Sequence, residues 1–234
     1  MSRKILTVVM ALAFAVGMSG MAMAGNYADV DQTAVTTNYA EIGQDGDGNS
    51  IDIDQVATGT YNAAEAYQTG GNNDIDVFQD AGNSNDLYVE QVGSENDLLL
   101  DQDAVTYNNA EVYQSGDVSG GNVATIDQSA GTSNDLYVEQ GGDGNVLTLD
   151  QLAVAGYNEA EVYQYGDGNT ANIGQDALTY NELYVGQYDG GNSLTATQTS
   201  TGSYNSLSVE QAGGMTAFVT QIGAGSNVAI VTQW

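Results

Sequence analysis

Asn134-Asp135-Leu136-Tyr137-Val138-Glu139-Gln140 reads as N-x-Φ-x-Φ-x-Q, with Φ apolar, and this spacing returns eighteen times along the chain. The opening Asn runs from Asn26 to Asn227, with Met215 as the single departure, and the closing Gln is kept every time, from Gln32 to Gln233. Alternation with period two is a strand signal. It puts the Asn, both Φ residues and the Gln on one face and the three x residues on the other. Every Φ is Ala, Val, Ile or Leu, while x is mostly Asp, Glu, Tyr, Thr or Gly, so one face is expected inside and the other in water.

The connections alternate. A four-residue Gly-rich turn follows Gln44, Gln68, Gln91, Gln140, Gln164 and Gln187, as in Asp45-Gly46-Asp47-Gly48, and links of five or six residues follow the intervening units. Two strands and two connections therefore make one rung of roughly 23 residues, repeated nine times. A strand this short buries no core by itself, but paired strands stacked on identical neighbours do. The spacing predicts an all-β chain, a β-solenoid of nine two-strand rungs stacked like amyloid. At a strand separation of about 4.8 Å it would rise about 43 Å.

Core volumes agree with that pairing. Successive rungs hold Leu98, Leu100, Ala110 and Val112, then Ala124, Ile126, Leu136 and Val138, then Leu147, Leu149, Ala160 and Val162. Each has one Ala and three large residues, and the Ala changes sides, as a narrow core at crystal-like density requires. The inward amides should form ladders from rung to rung. Representative positions are Asn38, Gln44, Asn49, Gln55, Asn85, Gln91, Asn134, Gln140, Asn169 and Gln175.

Outside the core, the middle x of the even-numbered units alternates Glu65, Tyr88, Glu111, Tyr137, Glu161, Tyr184. Stacking should then set Tyr over Glu and separate like charges. The odd-numbered units are less protected: Asp101, Asp127 and Asp150 share one position in successive rungs, as do Asp29, Asp52 and Asp76. The first three are weak candidates for a divalent cation, against the reading that they form a solvated, screened face.

Residues 1–24 stand apart. Arg3 and Lys4 precede an apolar run from Ile5 to Val16, and Ala22-Met23-Ala24 is a small-x-small cleavage site, the pattern of a secretory signal peptide cut after Ala24. The repeat domain is then 25–234. Cleavage would remove the only two cations and leave 31 acids, with no His and no Cys. Nucleic acid is not expected as a partner of such a chain, nor is insertion into a membrane. Without Cys, an exported chain has no disulfides and must be held by its stacking.

The junction Gln164-Tyr165-Gly166-Asp167-Gly168-Asn169-Thr170-Ala171-Asn172-Ile173-Gly174-Gln175, or Q-x-G-x-G-N-x-A-x-x-x-Q, closely resembles the repeat of curlins, the subunits of bacterial curli fibres. Junctions at Gln44, Gln140 and Gln187 are similar, and the resemblance covers the chain after residue 24. It implies an exported subunit that polymerises as functional amyloid in biofilm matrix as an extracellular, cell-surface fibre. It also implies a nucleating subunit, an outer-membrane secretion pore and periplasmic chaperones as partners. The chain departs from familiar curlins in opening its units with Asn where they carry Ser, and in lacking a Gly-rich segment before the first repeat. The absence of basic residues near the C-terminus favours the major over the nucleating subunit.

Composition points the same way. A mature chain without His, Cys, Lys or Arg lacks most nucleophile–base pairs and anion clamps, so no catalysis and no cofactor are expected. Solenoids that stay monomeric need polar caps, and the sequence shows none. No acid follows Glu210, and the last rung carries Met215, Phe218, Val219, Ile230 and Trp234, read as an assembly end able to dock on the acidic first rung. Residues 212–234 also read as a degenerate terminal repeat. The alternative function is a monomeric secreted solenoid, calcium-binding or adhesin-type. Gly141-Gly142-Asp143-Gly144-Asn145 is similar to a nonapeptide calcium repeat, but the period here is 11–13 residues.

Overall fold

The computed structural model describes residues 25–234 apart from 35–37, 58–60, 82–83, 105–106, 117–119, 130–132, 154–155, 178–179 and 201–203. The signal peptide and its cleavage after Ala24 lie outside the described residues.

The described chain is all β. One sheet holds β1 (Tyr27–Ala34), β3 (Ser50–Ala57), β5 (Asp74–Ala81), β7 (Asp97–Ala104), β9 (Val123–Ser129), β11 (Val146–Ala153), β13 (Thr170–Ala177), β15 (Ser193–Ser200) and β17 (Thr216–Gly223), side by side in that order. The other holds β2 (Asn38–Asp47), β4 (Tyr61–Gly71), β6 (Ser84–Ser94), β8 (Tyr107–Gly116), β10 (Ser133–Gly141), β12 (Tyr157–Tyr165), β14 (Tyr180–Tyr188), β16 (Asn205–Ala212) and β18 (Asn227–Gln233). All neighbours are parallel, and the chain crosses from one sheet to the other at every connection: a β-solenoid.

Register follows the repeat throughout. Gln32 lies beside Gln55, Asn62 beside Asn85, and Leu87 beside Ala110. A slip of one residue would turn every Φ outward, so the alternation fixes the register. The inward Φ residues of the two sheets form one continuous core from Ile51 to Ala217, with Ile42, Val219, Ala229 and Val231 partly covered at its ends. The alternation of Leu and Ala is retained inside it: Leu87, Ala110, Leu136, Ala160 and Leu183 succeed one another in one sheet and are all buried.

The short turns also stack. Gly46, Gly70 and Gly93 have φ of 110°, 122° and 106°. A Cβ on Gly70 would lie 1.8 Å from the carbonyl oxygen of Gly93, and one on Gly46 1.8 Å from that of Gly70, so these positions admit only glycine. Turn backbones bond one another between rungs, as in Gly168 N–H to the Asp143 carbonyl at 2.8 Å.

Candidate functional site: amide ladders, open ends and the outward face

The two glutamine ladders are complete. In one sheet Gln32 Nε2 donates to Gln55 Oε1, and the pattern continues to Gln198 and Gln221 with steps of 2.7–3.0 Å. In the other, Gln44 Nε2 donates to Gln68 Oε1 and so on to Gln233, again at 2.7–3.0 Å. Each donor points to the following rung, so the ladders have a direction. The second amide hydrogen ties the sheets together: Gln68 Nε2 donates to the Ser50 carbonyl at 2.8 Å and Gln140 Nε2 to the Val123 carbonyl at 3.1 Å. These fully buried amides are hydrogen-bonded on both sides, as burial demands.

The asparagines divide into two kinds, a distinction the repeat does not show. Those after short turns are locked. Asn169 Nδ2 donates to the Tyr165 and Asp189 carbonyls at 3.0 Å, its N–H donates to Asn145 Oδ1 at 3.0 Å, and Asn49 is held in the same way. Those after the long links are looser. Asn38 Nδ2 reaches the Gln55 carbonyl at 3.1 Å, Asn85 Nδ2 the Gln102 carbonyl at 3.4 Å, and Asn134 Nδ2 reaches Asn108 Oδ1 at 3.0 Å, yet Oδ1 of all three is buried without a partner. The reason is the corner. The short turn supplies a carbonyl four residues back that fixes the amide, as for Asn145 on Gly141 and Asn192 on Tyr188.

The ends differ. Among the described residues β1 and β2 pair on one side only, as do β17 and β18. The first rung presents Asp29, Asp31 and Glu41 outward, while outward positions in the last rung hold Phe218, Val228 and Ile230. These three are 79%, 67% and 73% exposed, and Trp234 is 73% exposed. Of the residues expected at an assembly end, Met215 and Val219 face the open edge of the core and are part-covered, whereas Phe218, Ile230 and Trp234 stand on the flanks. The sequence signal for this was available, since Phe218 and Ile230 are x positions.

The aspartate rows stack in register: Asp101 beside Asp127, and Asp127 beside Asp150. Burial, and then the Asp127 charge, push the Asp101 and Asp150 carboxyls above their ordinary range. One Asp101 oxygen is buried without a hydrogen bond. Among the described residues no three acids stand where they could hold a metal ion.

On the opposite sheet Glu65, Tyr88, Glu111, Tyr137, Glu161 and Tyr184 follow one another, Tyr over Glu. The rings do more than separate charge. Tyr67, Tyr88, Tyr113, Tyr137, Tyr163 and Tyr184, drawn from two adjacent positions, meet in a zigzag with centroids 5.4–5.8 Å apart. Tyr88 and Tyr137 donate to Glu90 and Glu139 at 3.2 and 3.1 Å on their own strands. Tilted rings at this spacing add attraction beyond their buried area.

Residues 24–56 match the family model of the curlin associated repeat. No curated protein and no solved structure matches the chain. The curlin associated repeat is a structural repeat. Residues 24–56 are the first rung and the opening of the second, and the register they set runs through every rung that follows, which supports assigning the chain to the curlin family.

Proposed function

We propose that the chain is the structural subunit of an extracellular, curli-like amyloid fibre of biofilm matrix, built head to tail through its terminal rungs. One observation carries the reading: two directional glutamine ladders run the whole described length and reach both open ends in the same register. Docking β17 and β18 of one copy on β1 and β2 of the next continues them, with Gln221 and Gln233 donating to Gln32 and Gln44. Only head-to-tail addition preserves the donor direction, and a heterologous contact that does not close makes a filament. Unpaired strand edges template such addition.

Charge favours the same junction. The acid-free last rung meets Asp29, Asp31 and Glu41 without like-charge repulsion. In this reading residues 1–24 are the secretory leader, and a nucleating subunit, an outer-membrane pore and periplasmic chaperones are partners implied by the curlin repeat. The test is seeded growth followed by thioflavin-T fluorescence and electron microscopy, for residues 25–234 and for a chain lacking residues 212–234. Seedable fibrils that depend on residues 212–234 are expected without calcium. A soluble monomer that folds only with calcium would instead establish a metal-dependent surface protein, and fibrils indifferent to the deletion would remove the C-terminal rung from the junction.

A further inference from the structure

One tyrosine column lies outside the zigzag. The residue preceding the opening Asn of the even-numbered units is Tyr61, Ser84, Tyr107, Ser133, Tyr157, Tyr180 and Tyr204 in succession. Only the last three are consecutive tyrosines. There the rings stack almost parallel: Tyr157 and Tyr180 have centroids 5.3 Å apart at 10°, and Tyr180 and Tyr204 5.0 Å apart at 12°. Where serine interrupts, a shallow groove of about 410 Å³ opens, lined by Tyr61, Ser84, Tyr107 and Ser133, and Tyr61 and Tyr107 lie exposed.

Each stacked phenol donates to a carboxylate of the preceding rung: Tyr157 to Asp135, Tyr180 to Glu159 at 3.3 Å, and Tyr204 to Glu182. The hydrogen bond to Asp135 pushes the Tyr157 phenol up, and burial followed by the Glu159 charge does so for Tyr180. The hydrogen bond to Glu182 raises Tyr204 to about 12. All three are therefore protonated at neutral pH, and losing an electron requires losing a proton to a base. Here a base is already in hydrogen-bond contact.

We propose that the Tyr157–Tyr180–Tyr204 stack is a site of oxidative modification, where a peroxidase with hydrogen peroxide couples neighbouring phenols into dityrosine bridges between successive rungs. Two phenols each lose one electron and one proton. The electrons cleave the peroxide O–O bond, and the protons, taken up first by the carboxylates, end on its oxygens as two waters. The two ring radicals join through carbons ortho to their hydroxyls. The hydrogens on those carbons then move to the phenoxyl oxygens and restore both phenols. The product lacks two hydrogens and ties rungs that are otherwise held only by hydrogen bonds and packing, in a chain with no cysteine.

The test is oxidation of the folded chain by peroxidase and hydrogen peroxide, digestion at acidic residues, and mass spectrometry of the linked peptides. Links 157–180 and 180–204 should be enriched about tenfold or more over the same chain oxidised in urea, because stacking replaces a flexible loop of low effective concentration. Tyr180→Phe keeps the ring and should abolish both. Ser133→Tyr should extend the stack and add links 107–133 and 133–157, a gain that simple damage to the fold would not produce. The proposal is overturned if folded and unfolded chains give the same distribution of links, if links arise only within the zigzag, or if Ser133→Tyr adds none. None of these outcomes depends on fibre formation.

Discussion

Replacing Gln140 by Glu changes almost no volume and tests the ladder directly. Gln140 is fully buried, accepts from Gln114 Nε2 at 2.9 Å, and donates to Gln164 Oε1 at 2.8 Å and to the Val123 carbonyl at 3.1 Å. An ionised Glu would keep the first bond and set its carboxylate against two acceptors. Such a group protonates rather than remain charged, since buried Glu can reach a pKa of about 8–9. At pH 7 the penalty is then capped by the cost of protonating a group of ordinary pKa about 4.3, about 1.4 kcal/mol per pH unit and about 4 kcal/mol in all. The neutral acid donates one hydrogen where the amide donates two, which costs about 1 kcal/mol more at any pH. The sign follows from proton binding. The folded variant holds a proton that the unfolded chain releases above about pH 4.3, so stability is lost as pH rises. Urea unfolding followed by circular dichroism, referenced to the unsubstituted chain at each pH, should show a loss of about 5 kcal/mol at pH 7 and about 1 kcal/mol at pH 4. Equal losses at the two pH values, or no loss at pH 7, would refute a continuous buried ladder. The outward Glu139→Gln should be near neutral by the same assay.

Gly70→Ala should cost several kcal/mol, because its Cβ meets the Gly93 backbone at 1.8 Å, whereas Gly144→Ala, with nothing within 4 Å, should cost only the about 1–2 kcal/mol of its left-handed backbone; thermal melts compare them. Met215 fills the Asn place opposite Asn26 in the proposed junction, and Asn26 Nδ2 has no partner. Met215→Asn should therefore add one ladder bond worth about 1 kcal/mol and lower the critical concentration about fivefold, measured by sedimentation; an unchanged value would count against that junction. Asp54, Asp76, Asp97, Asp101 and Asp150 are raised chiefly by burial. The folded chain thus binds more protons than the unfolded one, and the chain should gain stability and assemble faster as pH falls from 8 toward 4 in low salt, while equal rates would dismiss charge as the kinetic brake.

The sequence by itself determined the faces, the register and the number of rungs. With a side-chain period of two and an amide at both ends of every unit but the one opened by Met215, Asn49 has one place to go beside Asn73, and Gln55 beside Gln79, because a slip of one residue exposes Ile51 and Ile53 and a slip of two sets buried amides against apolar side chains. Tyr over Glu at Glu65 and Tyr88 follows from the same register. What the repeat could not state is how a side chain is met by groups outside its own column, and there the tertiary structure decided. Asn38 and Asn49 open their units with the same letter, yet Asn49 finds a turn carbonyl four residues back at its tight corner, whereas Asn38 reaches across to the Gln55 carbonyl and its Oδ1 is buried without a partner. Tyr88 touches Tyr67 and Tyr113, which occupy a different x position, because rings about 6 Å long reach diagonally across strands about 4.8 Å apart. Spacing in sequence sets columns, but contacts between columns depend on side-chain reach and corner geometry, which exist only once the rungs are stacked.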